Sequence, residues 1–333
     1  MAGPVVGSLV LTLLPELLTS LADYRLILYG GLLLLSIYWL PGGVVGALRR
    51  RAAGPAAPAT AKADAPTPEP QAARREGASL APLLEVEGLS LAFGGVAALQ
   101  DVTLRVPATG ITAVIGPNGA GKTTLLNVLS GFSRPDRGAV RLDGRPITGR
   151  PPHAIARLGV ARTFQTAQLF AELSCWENVA VGLRGPALGS PLAALLGTPG
   201  VRRGERELAR EARRLLAGAR LGDWAERPAT ALPAGLRRGL EIVRALATRP
   251  RLLLLDEPAA GLAPAEIEEL DRELGRLRAG GRLAIVLVEH HMDLVMSVSD
   301  RVAVLEYGRL IASGRPAEVQ QDRAVIEAYL GAV

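Results

Sequence analysis

Nine consecutive residues of this chain have the composition of a loop that binds phosphate. They read Gly116-Pro117-Asn118-Gly119-Ala120-Gly121-Lys122-Thr123-Thr124 and fit the pattern G-x-x-x-x-G-K-[ST]. Glycines let backbone N–H groups approach phosphate oxygens, and Lys122 adds a compact positive charge. The Thr123 hydroxyl can ligate Mg²⁺. The pattern predicts a site for nucleotide phosphates, and the alternative is a simple glycine turn before a helix.

Two acidic residues end an apolar run that predicts a buried central strand. The run is Leu252–Leu255, and Asp256-Glu257 follows it directly. Asp256 can bind Mg²⁺ through water, and Glu257 can polarise an attacking water molecule. A pair of acids at a strand end is a weak indication alone, but it gains weight beside the phosphate loop.

Three single side chains occupy positions where they can complete this site. His290 follows a second predicted buried strand, Ala284–Val288. Without the loop it would be interpreted as a structural histidine. Gln165 can contact the metal ion and the water, and Phe93 can stack on a base. Core packing explains Phe93 equally well.

Apolar runs and turn residues around these positions predict alternating strands and helices. A strand over 111–115 leads into the phosphate loop, and a helix over 125–129 leads out of it. Residues 166–240 are predicted to be mainly helical. Other predicted strands cover 84–87, 102–106, 139–142, 301–305 and 310–313, and other predicted helices begin at Pro264 and near Arg323.

The first 48 residues differ in composition from the rest. No residue between Arg25 and Arg49 is charged, and the stretch is rich in leucine. A helix from about Leu21 to Leu40 would be roughly 30 Å long, enough to cross a bilayer. The three arginines that begin at Arg49 predict that its C-terminal side faces the cytoplasm. A cleaved signal peptide is the alternative, but a basic start and a cleavage site are missing. Residues 49–82, rich in Ala, Pro and Arg, predict a disordered linker.

Charge and cysteine content narrow the class of protein further. The net charge of +6 comes mostly from dispersed arginines and forms no basic stripe with interleaved aromatics, which argues against a nucleic-acid partner. Cys175 is the only cysteine, so an internal disulfide is excluded and a reducing compartment is expected.

In this order, the motifs resemble the ATP-binding cassette (ABC) ATPase family over residues 83–333. The resemblance implies an α/β P-loop fold with a RecA-like core, an antiparallel β part and a helical subdomain at about 166–240. The fold would be preceded by one transmembrane helix and the disordered linker. It also implies ATP and Mg²⁺ as cofactors. In that family's terms, Glu257, His290 and Gln165 are catalytic, Phe93 and residues 116–124 bind nucleotide, and Thr123, Gln165 and Asp256 hold the metal.

The sequences of several stretches are similar to those of the branched-chain amino acid importer ATPases. The matching stretches are Arg162-Thr163-Phe164-Gln165, Glu177-Asn178-Val179, Asp256–Leu262, Val288-Glu289-His290, Leu294-Val295-Met296 and Val325–Gly331. Residues 3–48 are similar to the C-terminal end of that importer's permease subunit. The resemblance therefore implies a permease tail (1–48) joined by a linker (49–82) to an ATPase domain (83–333).

The signature loop of the family is altered here. The family has Leu-Ser and a glycine followed by glutamine, whereas this chain reads Leu232-Pro233-Ala234-Gly235-Leu236. The serine hydroxyl that would contact the γ-phosphate bound by the partner subunit is absent. Gly235 and the start of a helix remain, so backbone N–H groups can still face an anion. His291 stands where relatives often carry aspartate, and the sequence does not explain it.

The resemblance implies an ATPase at the cytoplasmic membrane that powers uptake of branched-chain or related amino acids. It implies permease subunits, an external substrate-binding protein that acts indirectly, and a second ATPase subunit, with a heterodimer favoured over a homodimer. The alternatives are another ABC system such as lipopolysaccharide export, a non-transport ABC protein, and a weakened regulatory cassette.

Overall fold

The computed structural model describes residues 82–183 and 198–330. The predicted membrane span within residues 1–48, and the predicted linker apart from Pro82, lie outside the described residues. Within the two described ranges, no helix combines the length and the apolar content needed to cross a membrane.

Six strands form the central sheet. Their order is β10-β9-β3-β8-β7-β6. The bounds are β3 Gly110–Ile115, β6 Val160–Arg162, β7 Leu252–Asp256, β8 Ala284–Val288, β9 Arg301–Glu306 and β10 Arg309–Gly314. All neighbours are parallel except β10, which pairs with β9 as an antiparallel hairpin. The ends of β3, β7 and β8 therefore meet at one edge, where the loops that follow them can form a site.

A second sheet of four strands is antiparallel. Its order is β2-β1-β4-β5, and the bounds are β1 Leu84–Phe93, β2 Val96–Val106, β4 Arg137–Leu142 and β5 Arg145–Pro146. β1 and β2 form a hairpin with Gly94 and Gly95 at the turn, both at positive φ. Phe93 therefore ends β1 at a turn.

Nine helices are described. They are α1 Lys122–Leu129, α2 Pro152–Arg157, α3 Cys175–Gly182, α4 Pro199–Gly218, α5 Ala234–Ala247, α6 Pro264–Ala279, α7 Met292–Val298, α8 Pro316–Gln320 and α9 Arg323–Leu330. α3 begins with a capping box, in which Ser174 Oγ accepts from the Glu177 N–H and Glu177 Oε2 accepts from the Ser174 N–H. α6 begins at Pro264 as predicted.

The apolar run of β7 is buried on both faces of the central sheet. Leu252 and Leu254 share one hydrophobic cluster with side chains of α1 and of the four-stranded sheet. Leu253 and Leu255 share another with Ile242 of α5 and with side chains of α6. Because successive side chains of a strand point to opposite faces, a strand covered on both sides needs an unbroken apolar sequence.

α3, α4 and α5 pack around a hydrophobic cluster of their own. Cys175, Ala212, Leu216 and Leu240 are fully buried in it. α4 therefore buries an apolar face against α3 and α5. The prediction of mainly helical structure over 166–240 is right for these three helices, but 166–173 and 225–228 are irregular, and 184–197 are outside the described residues.

Candidate functional site

The phosphate loop lies between β3 and α1, as its sequence predicts. Two of its glycines are required by the backbone. Gly116 has φ +148°, and a Cβ there would collide with the carbonyl oxygen of Leu305. Gly121 has φ +99°, and its Cβ would collide with the carbonyl oxygen of Ala98. The loop passes so close to neighbouring backbone that only glycine fits at these two positions.

The backbone donors of this loop fit an anionic ligand. α1 has no side-chain cap, because its N-cap residue is Gly121. In the described part of the chain, the N–H groups of Asn118 and Gly119 have no backbone or side-chain acceptor among the hydrogen bonds. Free N–H groups in a glycine-rich loop just before a helix start form a binding site for phosphate.

The Lys122 ammonium is buried within the loop. Its Nζ donates hydrogen bonds to the carbonyl oxygens of Gly116 at 2.7 Å and Pro117 at 2.9 Å. Burial lowers the pKa of Lys122, whereas the nearby carboxylates of Glu257 and Asp256 act to raise it. The sheet thus brings the lysine of the loop and the two acids at the end of β7 into one electrostatic environment.

Two predicted catalytic side chains are in direct contact. Gln165 Nε2 donates a hydrogen bond of 2.8 Å to Glu257 Oε2, although the two residues are 92 positions apart. Gln165 follows β6 and Glu257 follows β7, and these strands are parallel neighbours. Glu257 has φ +47°, a left-handed conformation that is unusual for glutamate and indicates a constrained turn.

Asp256 has a partner that the sequence did not predict. Its Oδ2 accepts a hydrogen bond of 2.9 Å from Arg162 Nη2, and the two side chains are only 4% and 6% exposed. Nη1 of the same guanidinium donates to Asn127 Oδ1 and Ser130 Oγ, both at 2.8 Å. Arg162 therefore joins the end of β6, the end of β7 and helix α1. The only local sign of this role is an arginine at the end of a buried strand.

The remaining predicted side chains lie at separate positions around this edge. The His290 side chain is 51% exposed and follows β8 by two residues. Phe93 is 54% exposed, so core packing is wrong as an explanation of this aromatic residue. Exposure leaves its ring free for stacking, which stays a prediction. Thr123 is exposed in the first turn of α1.

The altered signature stretch lies at the start of α5. Leu232 is buried and Pro233 is the N-cap, which supplies no side-chain hydrogen bond. Instead, the N–H of Gly235 donates to Oε1 of Glu266 on α6 at 3.0 Å. No hydrogen bond among the described residues connects this stretch to the phosphate loop of the same chain. No local sequence pattern predicts Glu266 as a partner.

Comparison with known proteins decides the family. A profile of the ABC transporter family matches residues 99–260. The chain is 46% identical over 250 residues to the high-affinity branched-chain amino acid transport ATP-binding protein BraF of Pseudomonas aeruginosa, covering 75% of this chain and 98% of that protein. The corresponding protein LivG of Escherichia coli is 43% identical with the same coverage. This chain belongs to the ABC transporter family.

Solved structures agree with this assignment. The nucleotide-free ATP-binding cassette of an ABC transporter is 34% identical and superposes with a TM-score of 0.65, covering 75% of this chain and all of that one. The ADP conformation of MJ1267, an ATP-binding cassette of an ABC transporter, is 33% identical with a TM-score of 0.65, covering 75% of this chain and 99% of that one. A second profile, of the branched-chain amino acid ATP-binding cassette transporters, matches residues 309–333 of this ABC ATPase. The predicted P-loop fold and the predicted ATPase activity coupled to transport are thereby confirmed.

Proposed function

We propose that this ABC ATPase powers the uptake of branched-chain or related amino acids. The observation that carries the proposal is the combination of a complete phosphate loop with the second profile match at residues 309–333, which belongs to the branched-chain amino acid transporters. The relatives in Pseudomonas aeruginosa and Escherichia coli are named for transport of branched-chain amino acids, which supports the same cargo.

The residues of the phosphate loop and of the strand ends have groups suited to the phosphates and to the metal ion of MgATP. The N–H groups of loop residues 118 and 119 and the Lys122 ammonium would hold the phosphates, with Phe93 against the base. Thr123, Gln165 and Asp256 offer the neutral and anionic oxygens that Mg²⁺ prefers, and bound Mg²⁺ would supply charge neutralisation. Glu257 would orient and polarise the attacking water, held in place by its 2.8 Å hydrogen bond from Gln165. His290 would contact the phosphate end.

Removal of the loop lysine tests the nucleotide site. Lys122→Ala deletes a charge-assisted phosphate contact worth about 1.5–3 kcal/mol, which corresponds to about 10- to 100-fold weaker MgATP binding. Titration calorimetry on the full chain measures this. Lys62→Ala is the matched control, because it deletes the only other lysine. Equal affinities of the two variants for MgATP would contradict the assignment of the loop.

We also propose that the chain works with a different ATPase subunit. Its own half-site contains Lys122, Glu257 and His290, so it can hydrolyse ATP when a partner completes it. Its contribution to a partner's half-site begins at Pro233, which has no hydroxyl to donate. Loss of one preorganised donor to transition-state charge costs roughly 10²–10³ in rate. A homodimer would carry this loss at both sites, and a heterodimer at one.

Reciprocal substitution in the assembled transporter tests this asymmetry. Glu257→Gln should abolish nearly all ATP hydrolysis, and the equivalent change in the partner should cost little. In this chain alone, the double variant Pro233→Ser, Leu236→Gln should raise the slow hydrolysis rate. Equal losses from the two glutamate substitutions, or rapid hydrolysis by the unmodified chain alone, would contradict the heterodimer. A rate that stays slow in every assembly would favour a regulatory cassette.

The remaining assignments follow from the sequence and extend the proposal. Residues 1–48 would be a permease-like segment that places the ATPase on the cytoplasmic side of the membrane, with 49–82 as a linker and 83–333 as the ATPase domain. Permease subunits would carry the amino acid, delivered by an external binding protein. A transport assay with the permease and radiolabelled leucine tests the cargo. Lipopolysaccharide export would be favoured instead if leucine is not taken up.

A further inference from the structure

Glu289 is a carboxylate that is completely buried between two loops of the site. Its residue follows β8 directly, and its side chain has no exposed surface. Oε1 accepts a hydrogen bond of 2.7 Å from the N–H of Ala259. Oε2 accepts from the N–H of His290 at 2.8 Å and from the N–H of His291 at 3.2 Å. One side chain therefore binds the loop after β7 and the loop after β8.

Three backbone N–H groups donate hydrogen bonds to this buried carboxyl group. Among the described residues, no lysine or arginine lies within ion-pair distance of Glu289, and His290 Nδ1 is 3.8 Å from Oε2. An ionised carboxylate is costly to bury unless hydrogen bonds replace its hydration. An apolar side chain of the same volume would avoid that cost but would leave three N–H groups without acceptors. The arrangement is typical of a polar side chain whose task is to fix backbone geometry.

The two loops that Glu289 joins carry two of the proposed reacting groups. Ala259 lies two residues after Glu257, whose backbone is held at φ +47°. The N–H of Glu257 also donates to the carbonyl oxygen of Val288 at 2.9 Å. His290 is next to Glu289 in the chain. Two links therefore set the distance between Glu257 and His290. One is the backbone hydrogen bond from Glu257 to Val288, and the other is the set of hydrogen bonds that the Glu289 side chain accepts.

We infer that Glu289 is a positioning residue that fixes His290 relative to Glu257. This inference rests on the proposed function, because it concerns the geometry of the same hydrolytic site. Ala259 lies in the same turn as Glu257. The Glu289 carboxylate therefore holds the His290 backbone at a fixed distance from Ala259. Glu289 itself touches neither nucleotide nor water in this role. A small misplacement of catalytic groups can lower a rate by about 10²-fold.

Substitution by glutamine keeps the size of the side chain and replaces one acceptor oxygen by an amide donor. In the full chain assembled with its transport partners, Glu289→Gln should lower kcat about 10- to 100-fold and leave the dissociation constant for MgATP within about 2-fold. Glu318→Gln is the matched control, since Glu318 Oε2 likewise accepts a backbone N–H, that of Arg315, but lies on α8 outside the site. This control should change neither quantity.

A double-mutant cycle separates positioning from general structural support. In a His290→Ala background, Glu289→Gln should lower kcat by less than about 3-fold, because the group that it positions is already missing. An equal loss in both backgrounds, a kcat that is unchanged, or MgATP binding that weakens in parallel with kcat would overturn the inference. If the glutamine variant does not fold, Glu289→Asp replaces it, because aspartate keeps the carboxyl group on a shorter side chain. The same three outcomes would then overturn the inference. Failure of MgATP binding in the unmodified chain would instead contradict the proposed function itself.

Discussion

Glu266 Oε1 accepts a hydrogen bond of 3.0 Å from the backbone N–H of Gly235, so a carboxylate of α6 caps the first turn of α5. Its other oxygen accepts from the N–H of Ala263 at 2.9 Å and caps the first turn of α6. Pro233, the N-cap residue of α5, has no side chain that can do this. A Cβ at Gly235 would displace the Glu266 carboxylate from this contact. One carboxylate thus connects the altered signature stretch to the start of α6.

Truncation of this side chain should destabilise the cassette. Glu266→Ala leaves two N–H groups without their acceptor, and helix caps of this kind contribute about 1–2 kcal/mol. Glu266→Gln keeps one acceptor and should lose less than half as much. Chemical denaturation of the full chain measures both values. Glu268→Ala, at an exposed position of the same helix, should stay within about 0.5 kcal/mol of the unmodified protein. Equal stabilities of Glu266→Ala and this control would refute the capping role.

The buried Arg162–Asp256 pair should matter far more to stability than an exposed pair of the same length. Arg162→Met leaves the buried carboxylate of Asp256 without its cation and should cost about 3–5 kcal/mol. Arg251–Asp143 is the matched control, since its N–O distance is also 2.9 Å but its side chains are 53% and 54% exposed. Arg251→Met should cost about 0–1 kcal/mol. Denaturation midpoints measured at one pH compare the two variants. Similar losses of stability would mean that burial does not determine how much the Arg162–Asp256 pair contributes to stability.

Glu273 of α6 should make the stability of the chain depend on pH. Burial raises the pKa of this carboxyl from 4.5 to about 7, against a lowering effect of Arg276 and with a raising effect of Glu269. Because the folded state has the higher pKa, the folded chain binds the proton more tightly, and stability falls as pH rises from 4.5 through about 7.

A neutral replacement isolates this effect. Glu273→Gln should equal the unmodified protein near pH 5 and exceed its stability by about 1–3 kcal/mol near pH 8, a range that follows from about 1.4 kcal/mol per pKa unit. Denaturation curves at the two pH values provide the measurement. Glu268→Gln should show no such pH-dependent difference. A constant offset between the Glu273 variant and the unmodified protein at both pH values would argue against a raised pKa.

The first 48 residues should hold the full chain in the membrane. The stretch without charge between Arg25 and Arg49 carries this prediction. After expression, the full chain should sediment with membranes and resist washing at alkaline pH. A chain that starts at Leu83 should remain in the supernatant when it is expressed without transport partners. Release of the full chain by the alkaline wash would show that the segment does not span the bilayer.

Local patterns in the sequence determined the phosphate loop and most of the secondary structure. The loop is a contiguous pattern whose glycines and lysine act within nine residues. The strands 111–115, 252–255 and 284–288 are continuous apolar runs, and the structure confirms each as a buried strand of the central sheet. The strands over 301–305 and 310–313 and the final helix from Arg323 were equally predictable. Such patterns can be recognised in the sequence because burial imposes them on each strand or helix separately.

The partners of the polar side chains were decided only by the tertiary structure. Arg162 meets Asp256 across 94 positions of sequence, and Glu266 meets Gly235 across 31. Glu289 holds Ala259 across 30. Each partner is set by which strand ends or helix starts lie side by side, and no local pattern encodes that adjacency. The sequence by itself therefore determined which residues can carry the chemistry, whereas strand order in the sheet decided which side chains hold those residues in place.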